Sequence, residues 1–179
     1  NSPTQAAKNG IKSMTQLQDL QVIRRWVDEI IVEADLVRKL AKGKPLRVKA
    51  GFDPTARDLH LGHTVVLNKM RQFQDLGHHV MFLIGDFTSM IGDPSGKSSE
   101  RQLLTPEQVA ANSAGIRAQL EHFLDFNGPA AARMRDNAEW LNQLSMVEFL
   151  RDTGKHFTVN YMLAKESVKR RIEAEDGIS

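Results

Sequence analysis

His60 and His63 stand three residues apart with Gly62 between them, at the end of the stretch Gly51–His63, GFDPTARDLHLGH. Each imidazole offers a hydrogen-bond donor near neutral pH, so a pair can stabilise charge that develops on a phosphate in a transition state. Gly51 and Gly62 carry no Cβ, which lets a flat base or a phosphate come close to the backbone. Further along, Gly92–Ser98 reads GDPSGKS. It offers Asp93 as an anion for an ammonium group, and Lys97 with Arg101 as phosphate cations. The chemistry on offer is nucleotide chemistry. Two surface histidines beside a helix start, or a solvated polar loop, would carry the same letters, so the surrounding elements must decide.

Those elements read as a strand–loop–helix crossing. Leu46, Val48 and Ala50 alternate with Arg47 and Lys49, the period of a half-buried strand. Pro54 and Asp58 break the pattern, and Val66, Met70, Phe73 and Leu76 then recur at helical steps until Gly77. His60, Gly62 and His63 therefore fall at a helix mouth, where unpaired N–H groups and the positive end of the dipole hold phosphate. His79–Ile84, HVMFLI, is an apolar run between Gly77 and Gly85, as expected of a strand buried on both faces of a parallel sheet. Strand, helix and strand make a βαβ unit with a right-handed crossover. Ligands in such sheets lie at the carboxyl ends of the strands, where residues 51–62 and 85–101 emerge as loops. A rival reading comes from the second loop. A Walker A phosphate loop needs four residues between its glycines, whereas Gly92 and Gly96 enclose three, and polar residues follow Ser98. A P-loop NTPase is the alternative that this loop leaves standing.

The rest of the chain reads as support. Residues 1–13 are small and polar and are expected to be disordered. Leu17–Leu40 is helical in pattern, with Val22, Trp26 and Ile30 on one face and Asp35 as cap of a second short helix before Gly43 and Pro45. Thr105-Pro106-Glu107 opens a helix to about Phe126, with Gly128 and Pro129 ending it. Ala132–Ala138 reads as a short strand. Ser145 caps a helix carrying Met146, Phe149 and Leu150. A last helix from Asn160 to Glu175 places Tyr161, Ala164, Val168 and Ile172 on a core side. The 179 residues suffice for one buried core, at 41% hydrophobic and 26% charged. No apolar run approaches membrane length, and no cysteine is present for disulfides or thiolate zinc. A net charge of +2 does not by itself argue for nucleic acid. Between Arg151 and Arg171, however, six Lys/Arg face two acids.

GFDPTARDLHLGH is similar to the HIGH-motif segment of bacterial tyrosyl-tRNA synthetases, a class I aminoacyl-tRNA synthetase family. IGDPSGKSSER and FLRDTGKHFTVNYMLAKESV resemble later segments of that family in the same order, so the resemblance runs from about residue 20 to Ser179. It implies an α/β fold with a Rossmann-like parallel sheet: an N-terminal helical segment at 1–45, the first half of the catalytic domain at 46–104, and a helix-rich insertion at 105–179. It implies activation of tyrosine by ATP, carried with Mg²⁺, to tyrosyl-adenylate, then transfer to tRNA(Tyr), in a cytoplasmic homodimer with no prosthetic group and no protein metal site. By the same resemblance His60 and His63 stabilise the α-phosphate, and Gly51, Asp53, Thr55 and Gly62 line the nucleotide site. Thr88 and Asp93 lie near the tyrosine ammonium, Lys97 and Arg101 grip pyrophosphate, and Trp140 and Asn160 approach the tRNA acceptor arm.

Two departures stand out. Lys49 and Ala50 replace the Tyr-Cys that many family members carry before GFDPTA, whose tyrosine bonds the substrate hydroxyl. The KMSKS loop, the anticodon-binding region and the rest of the tyrosine pocket are also missing from these residues. The expectation is an N-terminal portion holding less than half of the enzyme and inactive alone. A non-catalytic tRNA- or protein-interaction module is the further alternative.

Overall fold

A computed structural model describes residues 14–91 and 104–173. Three parallel strands, β1 (Arg47–Phe52), β2 (His79–Ile84) and β3 (Arg133–Asp136), form one sheet in the order β1-β2-β3. The register pairs Arg47 with His79 through to Phe52 with Ile84, and Met81 with Arg133 through to Ile84 with Asp136. Parallel neighbours need a crossover, and helices supply both: α3 (Leu61–Asp75) between β1 and β2, and, after the short α4 (Asp86–Ser89), α5 (Pro106–Leu120) between β2 and β3. Leu67 and Met70 of α3 and Ile116 and Leu120 of α5 share one core with Val80, Phe82 and Ile84 of β2. Both helices thus cover the same face of the sheet.

The expectation that β2 is buried on both faces needs correction. Val80, Phe82 and Ile84 are buried, while Met81 and Leu83 on the other face are half-buried and His79 is exposed. Among the described residues no helix covers that second face. Helix α3 also turns differently from expectation. Leu67, Met70 and Gln74 are its buried residues, whereas Val66 is 42% exposed. The buried Gln74 spends its amide on the 125–130 turn, donating to the carbonyls of Asp125 (2.6 Å) and Ala130 (2.9 Å), which fixes the approach to β3.

The N-terminal helical pattern divides in two. Helix α1 (Met14–Arg24) buries Leu20 and Ile23, and α2 (Glu33–Leu40) buries Val37 and Leu40. Their shared core meets Phe73 and Leu76 of α3. Trp26 and Val32 between them take positive φ, 58° and 56°, and Trp26 is 76% exposed, so no Val22–Trp26–Ile30 face forms. The break has a cause in α3. Lys69 Nζ donates to the carbonyls of Ile23 (3.1 Å) and Arg25 (2.7 Å), taking the orphan acceptors that a longer α1 would have used. Asp35 lies in the first turn of α2; the residue before that helix is Val32.

After β3 the chain runs through α6 (Ala138–Leu141), α7 (Met146–Glu148), a π turn at Phe149–Thr153 and a 3₁₀ turn at Gly154–His156. It ends in α8 (Val159–Leu163) and α9 (Glu166–Glu173). Ser145 does cap α7, in a reciprocal box with Glu148. The helix expected from Asn160 to Glu175 is interrupted after Leu163. Its supposed core side is open, with Tyr161 48% and Ile172 46% exposed. The periodicity is present, but the ring contacts of Tyr161 are with its sequence neighbours Phe157 and Lys165 and leave the stripe open. No described helix is long and apolar enough to cross a membrane.

Candidate functional site

His60 is the N-cap of α3, with extended backbone at φ −113° and ψ 170°. Its Nδ1 accepts from the Gly62 N–H at 3.0 Å, and the Nδ1 of His63 accepts from the His60 N–H at 3.1 Å. The two histidines thus perform the reciprocal capping that Ser and Glu perform elsewhere. Their rings stack at 3.8 Å between centroids. A neutral imidazole that accepts at Nδ1 carries its proton on Nε2. The bonding network therefore assigns an Nε2–H donor to each ring, beside the N–H groups of a fifteen-residue helix. Gly62 makes this possible. A Cβ there would lie 2.8 Å from His60 Cε1, so the glycine expected to let a base or phosphate approach also makes room for the histidine ring.

Helix α5 holds the histidine loop from the side. Asn112 Nδ2 donates to the Pro54 carbonyl at 2.9 Å; Gln119 Oε1 accepts from the Leu59 N–H at 2.9 Å, and its Nε2 donates to the Arg57 carbonyl at 3.0 Å. Gly115, one turn away on the same helix side, lets the backbone at Arg57 pass where a Cβ would meet its oxygen at 2.6 Å. None of these three was singled out in the sequence. Their only local signal is polar and small residues at 112, 115 and 119 on one face of a helix that also carries Glu107, Gln108, Ser113 and Arg117.

A second polar cluster lies at the carboxyl ends of the strands, as expected of a ligand site in this architecture. Asp53 follows β1, and its carboxylate sits over Gly85, where a Cβ would be 2.1 Å from Oδ1. Thr88 Oγ1 donates to that carboxylate at 3.4 Å and accepts from Asn137 Nδ2 at 2.9 Å. Asp86 Oδ1 accepts from the N–H groups of Phe87 (2.9 Å) and Ala138 (3.0 Å), which ties the end of β2 to the end of β3. Asp86, Gly85 and Asn137 were missed in the sequence as well. We expect Gly85→Ala to cost about 1–3 kcal/mol, the usual range for overpacking. Urea unfolding read against Gly51→Ala, where a Cβ would meet only Leu83 at an ordinary 3.9 Å, measures this. Equal stability of the two variants would show that the Asp53 carboxylate does not sit where described.

The structure thus brings Asp53 and Thr88 into contact and pairs His60 with His63. Gly51 is the fifth residue of β1 and Thr55 lies in the loop that follows, its N–H bonded to the Asp53 carbonyl at 2.8 Å. Asp93, Lys97 and Arg101 lie outside the described residues, as does the GDPSGKS loop. Trp140, on α6, and Asn160, on α8, are exposed. Among the described residues no hydrogen bond, ion pair or ring contact links either of them to the histidine loop.

Burial, with a smaller repulsion from His60, holds the His63 pKa below its ordinary value. Burial does the same for His78, helped by His79 and opposed by Asp19. A histidine whose folded pKa lies below its unfolded value of about 6.5 contributes stability that is full above that value. That stability is lost as pH falls toward the folded pKa. Protonation also forces a proton onto His63 Nδ1, which can then no longer accept the His60 N–H. We expect the urea midpoint to fall between about pH 7 and pH 5.5. The exposed carboxylates Glu139, Glu148 and Asp152, held low by hydrogen bonds, act only at lower pH. A flat midpoint across this window would sink the capping role given to neutral His63.

Known proteins resemble this chain over most of its length. Residues 41–179 match the family described as tRNA synthetases class I (W and Y). The tyrosine–tRNA ligase of Thiobacillus denitrificans is 52% identical over 160 residues, 89% of this chain and 39% of that protein. That of Opitutus terrae is 53% identical over 167 residues, 93% of this chain and 39% of its own length. The chain therefore spans about two fifths of these relatives. Among solved structures, a C-terminally truncated mitochondrial tyrosyl-tRNA synthetase of Aspergillus nidulans superposes with a TM-score of 0.75 at 27% identity. It covers 98% of this chain and 51% of that one. The Archaeoglobus fulgidus tyrosyl-tRNA synthetase complexed with L-tyrosine gives 0.63 at 20% identity, a likeness of fold, over 81% of this chain and 42% of that one.

Proposed function

The chain belongs to the class I tRNA synthetases of the tryptophan and tyrosine family, and from that membership we propose that it forms the nucleotide-binding part of a tyrosine–tRNA ligase. The observation that carries the reading is the mutual capping of His60 and His63, which leaves two Nε2–H donors at the mouth of α3. In the proposed reaction the carboxylate of tyrosine attacks the α-phosphate of ATP, forming the acyl–phosphate bond of tyrosyl-adenylate as pyrophosphate leaves. The two imidazoles donate to the oxygens on which charge grows, and the helix dipole adds to them. Gly51, Asp53, Thr55 and Gly62 line the nucleotide, while Thr88 and Asp93 meet the ammonium of tyrosine. Lys97 and Arg101 hold the leaving pyrophosphate, and Mg²⁺ arrives with the ATP. Trp140 and Asn160, in the 105–179 stretch, approach the acceptor arm of tRNA(Tyr).

The same stretch exposes Met146, Val147, Phe149 and Leu150, at 77%, 70%, 46% and 59%. An apolar patch of this kind supports the proposed homodimer contact. A cytoplasmic enzyme is part of the proposal.

The direct test is tyrosine-dependent ATP–pyrophosphate exchange by the protein at the length of its relatives. Exchange driven by tryptophan in place of tyrosine would overturn the substrate. Lys97→Ala and Arg101→Ala should depress exchange and leave tyrosine affinity nearly unchanged, because both cations serve the leaving group. Tyrosine-independent ATP hydrolysis abolished by Lys97→Ala would favour the P-loop reading instead.

A further inference from the structure

The loop that presents the histidines is held by backbone bonds more than by packing. Pro54 at its start is buried and Leu59 at its end is half-buried, while Thr55, Ala56, Arg57 and Asp58 between them are exposed. Three residues of α5 meet its backbone: Asn112, Gly115 and Gln119, at steps of three and four that set them on one helix face. Gln119 reaches furthest toward the histidines. Its Oε1 accepts the N–H of Leu59, the residue directly before the His60 cap, at 2.9 Å. Its Nε2 donates to the carbonyls of Arg57 and Gly115, each at 3.0 Å, and lies 3.3 Å from Asp58 Oδ1. Both ends of one amide are thus engaged in fixing the backbone that leads into His60.

Mutual capping ties His60 and His63 to each other and to α3, but it does not set the course of the chain into the cap. His60 has extended backbone, so that course depends on what holds Leu59. A donor that serves a transition state must be held within about 0.5 Å and 10–20° of its productive geometry. Misplacement by about 1 Å can cost 10²-fold in rate. Helix α5 is fifteen residues long and packs on the sheet through Ile116 and Leu120, which makes it a rigid support for the loop.

We propose that Gln119 is a positioning residue for adenylate formation. By gripping the Leu59 N–H and the Arg57 carbonyl it sets the direction of the His60 Nε2–H donor, and Gly115 gives the loop room to lie against α5. The inference rests on the reading of His60 as a donor to the α-phosphate.

A double-mutant cycle tests it in the protein at the length of its relatives, read by tyrosine-dependent ATP–pyrophosphate exchange. Gln119→Met keeps the length of the side chain and removes both hydrogen-bonding groups. It should lower kcat about 10–100-fold and leave the KM for ATP and for tyrosine within about twofold, because the ground state does not use the aim of the donor. In a His60→Asn background, where no donor is left to aim, its fold-effect should be at least about threefold smaller. Gly115→Ala, whose Cβ would meet the Arg57 oxygen at 2.6 Å, should follow the same pattern by displacing the loop with Gln119 intact. A purely structural role for Gln119 gives the same factor in both backgrounds, and a fold-effect that stays within about threefold overturns the inference. So does a raised KM with unchanged kcat, or no slowing by Gln119→Met where His60→Asn is slow. If His60→Asn by itself leaves the rate unchanged, the reading of the histidines falls and this inference falls with it.

Discussion

A His60→Asn variant, made at the relatives' length, should remain folded and yet form tyrosyl-adenylate about 10²–10³ times more slowly. Asparagine is among the best N-caps, and its side-chain oxygen can take the Gly62 N–H that His60 Nδ1 now accepts. What it cannot supply is a donor where Nε2–H stands, and that donor serves charge present mainly in the transition state. His60→Ala should lose the cap as well, at about 1 kcal/mol of stability. His63→Ala should slow adenylate formation similarly, by about 2.7–4 kcal/mol of lost transition-state stabilisation, with little change in ATP affinity. Single-turnover adenylate formation, measured beside urea unfolding, separates the two roles. Variants that raise the KM for ATP while kcat stays unchanged would show that the histidines bind the ground state, and the transition-state role would fall.

The 179-residue chain alone should be silent in pyrophosphate exchange, whatever its state of folding. It carries the histidine loop and the Asp53–Thr88–Asn137 cluster, but in the proposed enzyme the substrates are gripped from both sides of the strand ends. Held from one side only, they forfeit most of an orientation advantage that can reach about 7–11 kcal/mol. Exposed Phe149, Leu150, Phe157 and Tyr161 should also promote self-association. The comparison is exchange by this chain against exchange by the protein at the relatives' length. Robust exchange by the shorter chain would mean the active site has been misplaced. Silence from both, with the longer one folded, would count against the ligase itself.

Much of the frame around the histidine loop is written in local sequence. Strand β2 begins and ends where the apolar run does, at His79 and Ile84, because glycine stands on each side of a short β-rich stretch. The start of α5 is likewise local. Thr105 accepts from the Gln108 N–H at 3.3 Å and Pro106 fills the first turn. The box closes through Gln108 rather than Glu107, a difference of one position that spacing alone does not resolve. The histidines could be placed at a helix mouth for the same reason. A strand period stops, a helix period starts, and the cap lies between.

What local pattern cannot carry is the partner of each pattern. The N-terminal stretch has helical periodicity throughout, yet it breaks after Arg24 because Lys69, more than forty positions away, takes its terminal carbonyls. The stripe of Tyr161, Val168 and Ile172 reads as core, and apolar surface is buried only where other apolar surface exists to meet it. The loop that presents His60 and His63 is fixed by Asn112 and Gln119, about sixty residues on, and Asp53 is fixed by a missing Cβ at Gly85. The sequence by itself determined which residues could meet a phosphate and on which elements they ride, since caps, periods and breakers act over a few residues. Only the tertiary structure decided how those residues are held and which face of the sheet stays open, because hydrogen bonds and burial between distant segments have no local spacing to betray them.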